Sequence, residues 1–189
     1  MVAPVLTNVI VGEATLYIAP ANTAMPADTV SLGAAWRVGW TYIGATDAGV
    51  TLTVSTNTQD ITIEEQSTPA LVTVTTKDVT VGFALAEDTV ANMKTAYGGG
   101  TLTTQAAATG TIGKETLVLS DTLDQLAVGF EGINPEGFFR RVYIPVAMSI
   151  GSVATPYRRA AAKRMYPTTL RAICAPSSIQ IVDMTAAAL

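Results

Sequence analysis

The fold of this 189-residue chain is decided by residues 71–100, which read LVTVTTKDVTVGFALAEDTVANMKTAYGGG. From residue 79 to residue 85, apolar side chains alternate with small or polar ones, as in a β-strand with one buried face. The next segment places Val90, Met93 and Tyr97 at helical spacing, with Glu87 and Asp88 as acidic residues at its start. The stretch therefore predicts a strand that leads into one short helix at about residues 87–97.

Strand-like alternation recurs along most of the chain, so a mainly β single domain over residues 1–189 is expected. Turn residues divide this domain into strands and connections. We expect an N-terminal arm at 1–11, a loop at 20–34, a long hairpin at 36–65, a flexible connection at 98–113 and a C-terminal tail at 184–189. Two irregularities are also predicted. The alternation changes phase at residues 76–78, which indicates a bulge or a tight turn, and Pro145 indicates an edge strand or a bulge.

Charge is distributed unevenly along the chain. Residues 1–136 hold fourteen acids and four bases, whereas residues 137–189 hold seven bases and one acid. Such asymmetry is typical of a nucleic-acid patch or of a surface on which one subunit complements the next. Because the whole chain has a net charge of −4, a primary DNA-binding role is disfavoured.

The absence of histidine argues against enzymatic function. No His is present to act as a general base or metal ligand, and the single cysteine, Cys174, reads as a small apolar side chain. Residues 108–115 lack the glycine and the hydroxyl that a phosphate-binding loop requires. We therefore expect no catalytic residue, no metal site and no cofactor, and a small hydrolase is disfavoured.

Trp36 and Trp40 are separated by an even number of positions, which predicts that both lie on one face of a strand at residues 36–44. Large rings of this kind usually anchor a core, although an interface would use them equally well.

Taken in order, these segments resemble the tail tube (major tail) proteins of long-tailed bacteriophages. The likeness runs from about residue 36 to residue 183. It is carried by four segments: Trp36 to Gly44, the strand-to-helix passage Leu85 to Met93, GFFRRVYIPVA at 137–147 and KRMYPTTLRAICAP at 163–176. The basic segment at 157–164 has no counterpart in that pattern.

The resemblance implies a β-sandwich or barrel with one flanking helix, assembled as six copies per ring. Stacked rings would form a hollow tube in the virion tail, built in the host cytoplasm, through which DNA passes without specific binding. The implied partners are other copies of the chain and tail proteins such as the tape measure and tail terminator, with no membrane. A capsid decoration protein or a host-glycan-binding module is the alternative.

Candidate residues follow from charge. A conduit for DNA should avoid lysine and arginine, and residues 41–76 carry acids without bases. This makes Asp60, Thr62 and Glu64 the candidate lumen residues. Complementary subunit contacts are expected between the acidic and basic parts of the chain, with these candidates: Asp47, Arg158, Arg159, Lys163 and Arg164.

Overall fold

In a computed structural model, the chain is described at residues 13–27, 36, 39–65, 68–157 and 163–185. The predictions for the N-terminal arm, Arg158 and Arg159 concern residues outside these ranges. The elements, in chain order, are β1 (Thr15–Pro20), β2 (Thr41–Tyr42), β3 (Thr46–Ile61), β4 (Leu71–Leu85), α1 (Val90–Ala96), β5 (Thr101–Gln105), β6 (Lys114–Val118), β7 (Leu126–Ile133), β8 (Phe139–Ile150), β9 (Tyr166–Ala172) and β10 (Gln180–Asp183). A 3₁₀ turn, Pro176–Ser178, precedes β10.

Most strands form one antiparallel sheet in the order β2-β1-β7-β8-β9-β4-β3, and β10 also pairs with β8. Residues 43–45 join β2 at one end of this order to β3 at the other. The amide of Ile43 donates to the carbonyl of Leu16 at 3.2 Å, and the amide of Ala86 donates to the carbonyl of Ala45 at 3.0 Å. The sheet therefore curls around its core, and the mainly β prediction with one short helix is confirmed.

The core fills the inside of the curled sheet. Its fully buried apolar side chains come from five strands and alternate with outward residues: Leu16, Val81, Leu85, Val128, Ile144 and Leu170. The alternation at residues 79–85 predicted Val81 and Leu85 in this set, because a strand turns every second side chain to the same face.

Helix α1 is shorter than predicted and packs against β9 and the separate β5–β6 ribbon. Its cap is Thr89, whose side chain accepts a hydrogen bond from the amide of Asn92 at 3.1 Å. Glu87 and Asp88 precede the helix and do not form its first turn. The Glu87 carboxylate instead accepts the amide of Ala45 at 2.9 Å, beside the joint that closes the sheet.

Both predicted irregularities occur as bulges. Asn57 pairs with Thr76 and Thr58 pairs with Val74, so Thr75 is the extra residue in β4. In β8 the register shifts opposite residues 126–128, beside Pro145. Because β8 lies between β7 and β9, the proline is accommodated by a bulge and not at an edge.

Three other expectations differ from the structure. The hairpin expected over 36–65 does not form as such, because residues 56–59 continue one long strand and β3 pairs with β4. The connection expected to be flexible at 98–113 contains β5, since Thr-rich residues there pair with β6. In the expected tail, Met184 is buried and its amide donates to Phe139 at 3.0 Å.

Candidate functional site

The ends of β3 and β4 project from the body as a two-stranded ribbon, here called the hairpin arm (residues 53–61 and 71–77). Every residue in it is exposed, whereas every second residue of β4 is buried from Val79 onward. The change occurs because β9 pairs with β4 only from Thr80 to Leu85. The arm is thus supported by its own ladder and by no core.

The two faces of the arm differ in chemistry. Partners directly opposite in an antiparallel pair share a face, so the register assigns each side chain. The face continuous with the core carries Val54, Val72 and Val74 together with Thr56, Thr58, Asp60 and Lys77, and we call it the apolar arm face after its valines. The opposite face belongs to a larger, hydroxyl-rich surface over β3, β4 and β9, which carries Thr51, Thr53, Ser55, Asn57, Gln59, Thr73, Thr76, Thr80 and Thr169. It also carries the Asp78–Arg171 ion pair and, at its distal end, the exposed Ile61 and Leu71.

The bulge at Thr75 determines on which face the valines of β4 lie in the arm. If β4 alternated regularly without this bulge, Val72 and Val74 would lie on the face opposite to Val79. With it, they return to the core-side face, where Val54, Val72 and Val74 are 50%, 56% and 57% exposed. The alternation contained this signal, but no apolar arm residue was among the sequence candidates.

Both edges of the arm are unpaired within the part of the chain that the structure describes. There β3 pairs with β4 alone, and β4 has no second neighbour before Thr80. A two-stranded ribbon is marginally stable in water by itself, and open edges are templates for pairing with another chain. The arm therefore has the properties of an assembly surface.

The three candidate lumen residues lie together near the end of the arm. Asp60 is the second-last residue of β3, Thr62 follows the strand, and Glu64 is in the turn. All three are exposed, but only Asp60 has a face assigned by register. It lies opposite Val72, on the apolar arm face, so the lumen role of these residues stays a prediction.

The basic residues of the C-terminal third are paired inside the chain. Among those described, each contacts an acidic residue: Arg140 with Asp183, Arg141 with Glu131, Lys163 with Asp47, Arg164 with Asp88 and Arg171 with Asp78. Four of these pairs have exposed or half-exposed partners, so solvent screens the attraction between their charges. The described basic residues of this third are therefore satisfied within one copy, four of them by acids from residues 1–136.

Three of the candidate subunit contacts can be placed from these pairs. Asp47 and Lys163 contact each other, and Arg164 contacts Asp88. Their contact with a neighbouring subunit stays a prediction, and it would require side chains that already have partners.

The tryptophans lie on the outer side of the sheet, where Trp40 packs against a second buried cluster formed by Ala19, Ala127 and Tyr143. Residues 36 and 40 do not belong to a strand, because the strand in this region is limited to Thr41–Tyr42. Trp36 stacks on Tyr17 with ring centroids 4.9 Å apart, and its indole NH donates to Glu131 at 2.9 Å. The placement follows from Gly129, since any side chain there would overlap the Trp36 ring.

Arg141 is a basic residue that is buried in the fold and does not belong to the charged surface. Its side chain is 1% exposed, its Nε donates to Glu131 at 2.9 Å, and its guanidinium carbon is 5.3 Å from the Trp36 ring centroid. A buried charge is stable only when paired and hydrogen-bonded. Arg141 therefore belongs to the packing of β7 and β8 and adds nothing to the surface potential.

The described residues contain no group of three His, Cys, Asp or Glu side chains placed to hold a metal ion. Among the helices in the same ranges, none has the length and apolarity needed to cross a membrane.

Comparison with known proteins agrees with the fold. A family model described as phage tail tube protein matches residues 7–136, which are 130 of the 189 residues. The match includes the hairpin arm, α1 and most of the curled sheet, whereas the likeness proposed for 137–176 lies outside it. No curated protein sequence matches the chain. Because the family model covers more than half of the sequence, the resemblance is confirmed, and this chain belongs to the phage tail tube protein family, a family of structural components of the virion tail.

Proposed function

We propose that this protein assembles into hexameric rings that stack into the tail tube, and that the tube conducts DNA during ejection into the host. The tube forms in the host cytoplasm together with tape measure and tail terminator proteins. The protein acts as a structural element and not as a catalyst. The observation that carries the proposal is the hairpin arm, an exposed ribbon with valines on one face and unpaired edges.

The valines of the arm argue for burial in an assembly. Complete burial of an exposed valine side chain stabilises a structure by about 1.5–3 kcal/mol. Val54, Val72 and Val74 each retain at least half of their exposure in the single chain, so a neighbouring copy that covered them would gain a substantial part of this energy.

Ring and stack formation also suit the geometry of one protruding arm. Repeated head-to-tail contacts use two different surfaces of each subunit, and they close into a ring or continue as a filament. The arm supplies one such surface, and the body of the next copy supplies the other.

Electron microscopy of the purified full chain tests the assembly directly. Six-fold rings or hollow tubes are the expected result, with sedimentation showing a species of six chains or multiples of six. A stable monomer at all concentrations, unchanged by salt or by tail initiation proteins, would contradict the proposal. Binding of a glycan by that monomer would favour the alternative class.

A variant with a shortened arm tests whether the arm is required for tube formation. Ser55 and Asp78 are cross-strand partners, so residues 56–77 can be replaced by Asn-Gly, which closes a two-residue hairpin turn. The core is unaffected because every removed residue that the structure describes, at 56–65 and 68–77, is exposed. We expect a folded protein with cooperative thermal unfolding that forms no tubes. Tubes of normal diameter from this variant would refute a role for the arm.

A further inference from the structure

The bulge at Thr75 lies in a part of β4 that the body of the protein does not support. Strand β9 pairs with β4 only from Thr80 onward, so between residues 71 and 79 the only partner of β4 among the described strands is β3. A bulge within a packed sheet can be a response to the strands on both sides of it. Here neither the core nor a third strand imposes the extra residue, so the arm itself must maintain it.

Two side-chain hydrogen bonds hold this bulge in place. The Thr75 hydroxyl donates to the carbonyl oxygen of Asn57 at 3.1 Å, and the Asn57 side-chain amide donates to the hydroxyl oxygen of Thr76 at 2.8 Å. Both bonds join the two strands at the point where the register shifts, between Asn57 and Thr58. An extra residue interrupts the backbone ladder, and these side chains bridge the interruption. The described arm residues form no other side-chain hydrogen bond, so this type of contact is concentrated at the bulge.

The arrangement of side chains on the two faces does not require the extra residue. In a chain that lacked Thr75, Thr76 would still lie opposite Asn57 and Val74 opposite Thr58, because these pairs already follow each other in β3. Every side chain beyond the bulge would keep its partner and its face. A bulge bends its strand and increases the local twist. The extra residue therefore determines the shape of the arm and not the chemistry of its faces.

We propose, resting on the tube function above, that the bulge directs the distal arm (residues 58–61 and 71–74) toward its contact on a neighbouring subunit, with Thr75 and Asn57 as positioning residues. The distal arm extends about 13 Å beyond the bulge, at about 3.3 Å for each of its four residue pairs. A change of direction at the bulge therefore displaces the end of the arm. Because every subunit repeats the same contact, the direction of the arm sets the diameter and helical twist of the tube.

Deletion of Thr75 tests this proposal, because it removes the bulge and leaves the opposite pairs unchanged. Thr75 is exposed and lies outside the core, so the monomer should unfold at the same temperature as the unmodified protein. We expect tubes of altered diameter or helical twist, or no closed tubes, by electron microscopy. Thr75→Ser is the matched control, since it keeps both the extra residue and the hydroxyl, and its tubes should match the unmodified ones. Unchanged tubes from the deletion variant, or altered tubes from the control, would overturn the inference.

A helical reconstruction of the unmodified tube gives an answer that does not depend on any variant. The distal arm should contact a neighbouring subunit and should turn at Thr75 away from the direction of residues 53–57. If the arm is straight, or if its distal part has no neighbour, the inference is wrong while the tube function stands. If the unmodified protein forms no tube, the proposed function itself fails.

Discussion

The double substitution Val72→Thr plus Val74→Thr isolates the contribution of the apolar arm face. Threonine keeps the β-branched shape and strand preference of valine but replaces one methyl group by a hydroxyl. Both positions are exposed in the single chain, at 56% and 57%, and neither belongs to the core. The change therefore alters assembly while leaving the fold in place.

The expected magnitude follows from the area still available for burial. Full burial of a valine is worth about 1.5–3 kcal/mol, and slightly more than half of each side chain remains exposed, so each loses about 1 kcal/mol. The pair together weakens association by about 2 kcal/mol per subunit. Since 1.4 kcal/mol corresponds to a tenfold change, the critical concentration for tube formation should rise about 30-fold.

Sedimentation of tubes over a concentration series measures this critical concentration, with thermal unfolding of the monomer as the check on folding. Thr73→Ser is the matched control, because it removes one methyl group from the opposite face of the same strand. We expect a critical concentration unchanged within experimental scatter for this control. A shift of less than about threefold for the double variant would refute burial of the apolar arm face.

Two further predictions concern the body. Gly129→Ala places a methyl group inside the Trp36 ring and should destabilise the fold by about 1–3 kcal/mol with altered tryptophan fluorescence. Gly132→Ala, whose added carbon meets the Glu13 carbonyl oxygen at an ordinary contact distance of 3.5 Å, should leave both unchanged. Burial and a hydrogen bond to Asp88 raise the pKa of Tyr166 from 10.0 to about 12. Because the folded pKa is the higher one, this stabilisation is complete below pH 10 and is lost as the pH rises through about 12. Tyr166→Phe should abolish that part of the alkaline loss of stability, measured by denaturant unfolding at each pH, and an unchanged pH profile would contradict the assignment.

Several features were predictable because they are local. Alternation at 79–85 identified the core side of β4, and the change of phase near residues 76–78 predicted the bulge found at Thr75. The Pro145 bulge and the short helix followed in the same way. In each case a period or a residue type restricts the backbone over a few positions.

Other features escaped prediction because they depend on strand partners. Alternation gives the face of a side chain but not its neighbour, so a strand at residues 53–61 cannot show whether another strand supports it. The arm is exposed because β9 pairs with β4 only from Thr80, a fact with no local signal. The hydroxyl-rich β5 was missed for the same reason. It is a strand because it pairs with β6, and its own sequence has no pattern of apolar residues that would indicate one.

The sequence by itself determined a mainly β chain with one helix, no histidine chemistry, and acidic and basic parts that complement each other. Tertiary structure alone decided that this complementarity is used within one copy, since Asp47 and Lys163 are 116 positions apart and meet only in the folded sheet. It also decided that both faces of the arm are exposed, because the pairing of β9 with β4 ends at Thr80. Local patterns specify side-chain direction, whereas burial is a property of the whole packed sheet.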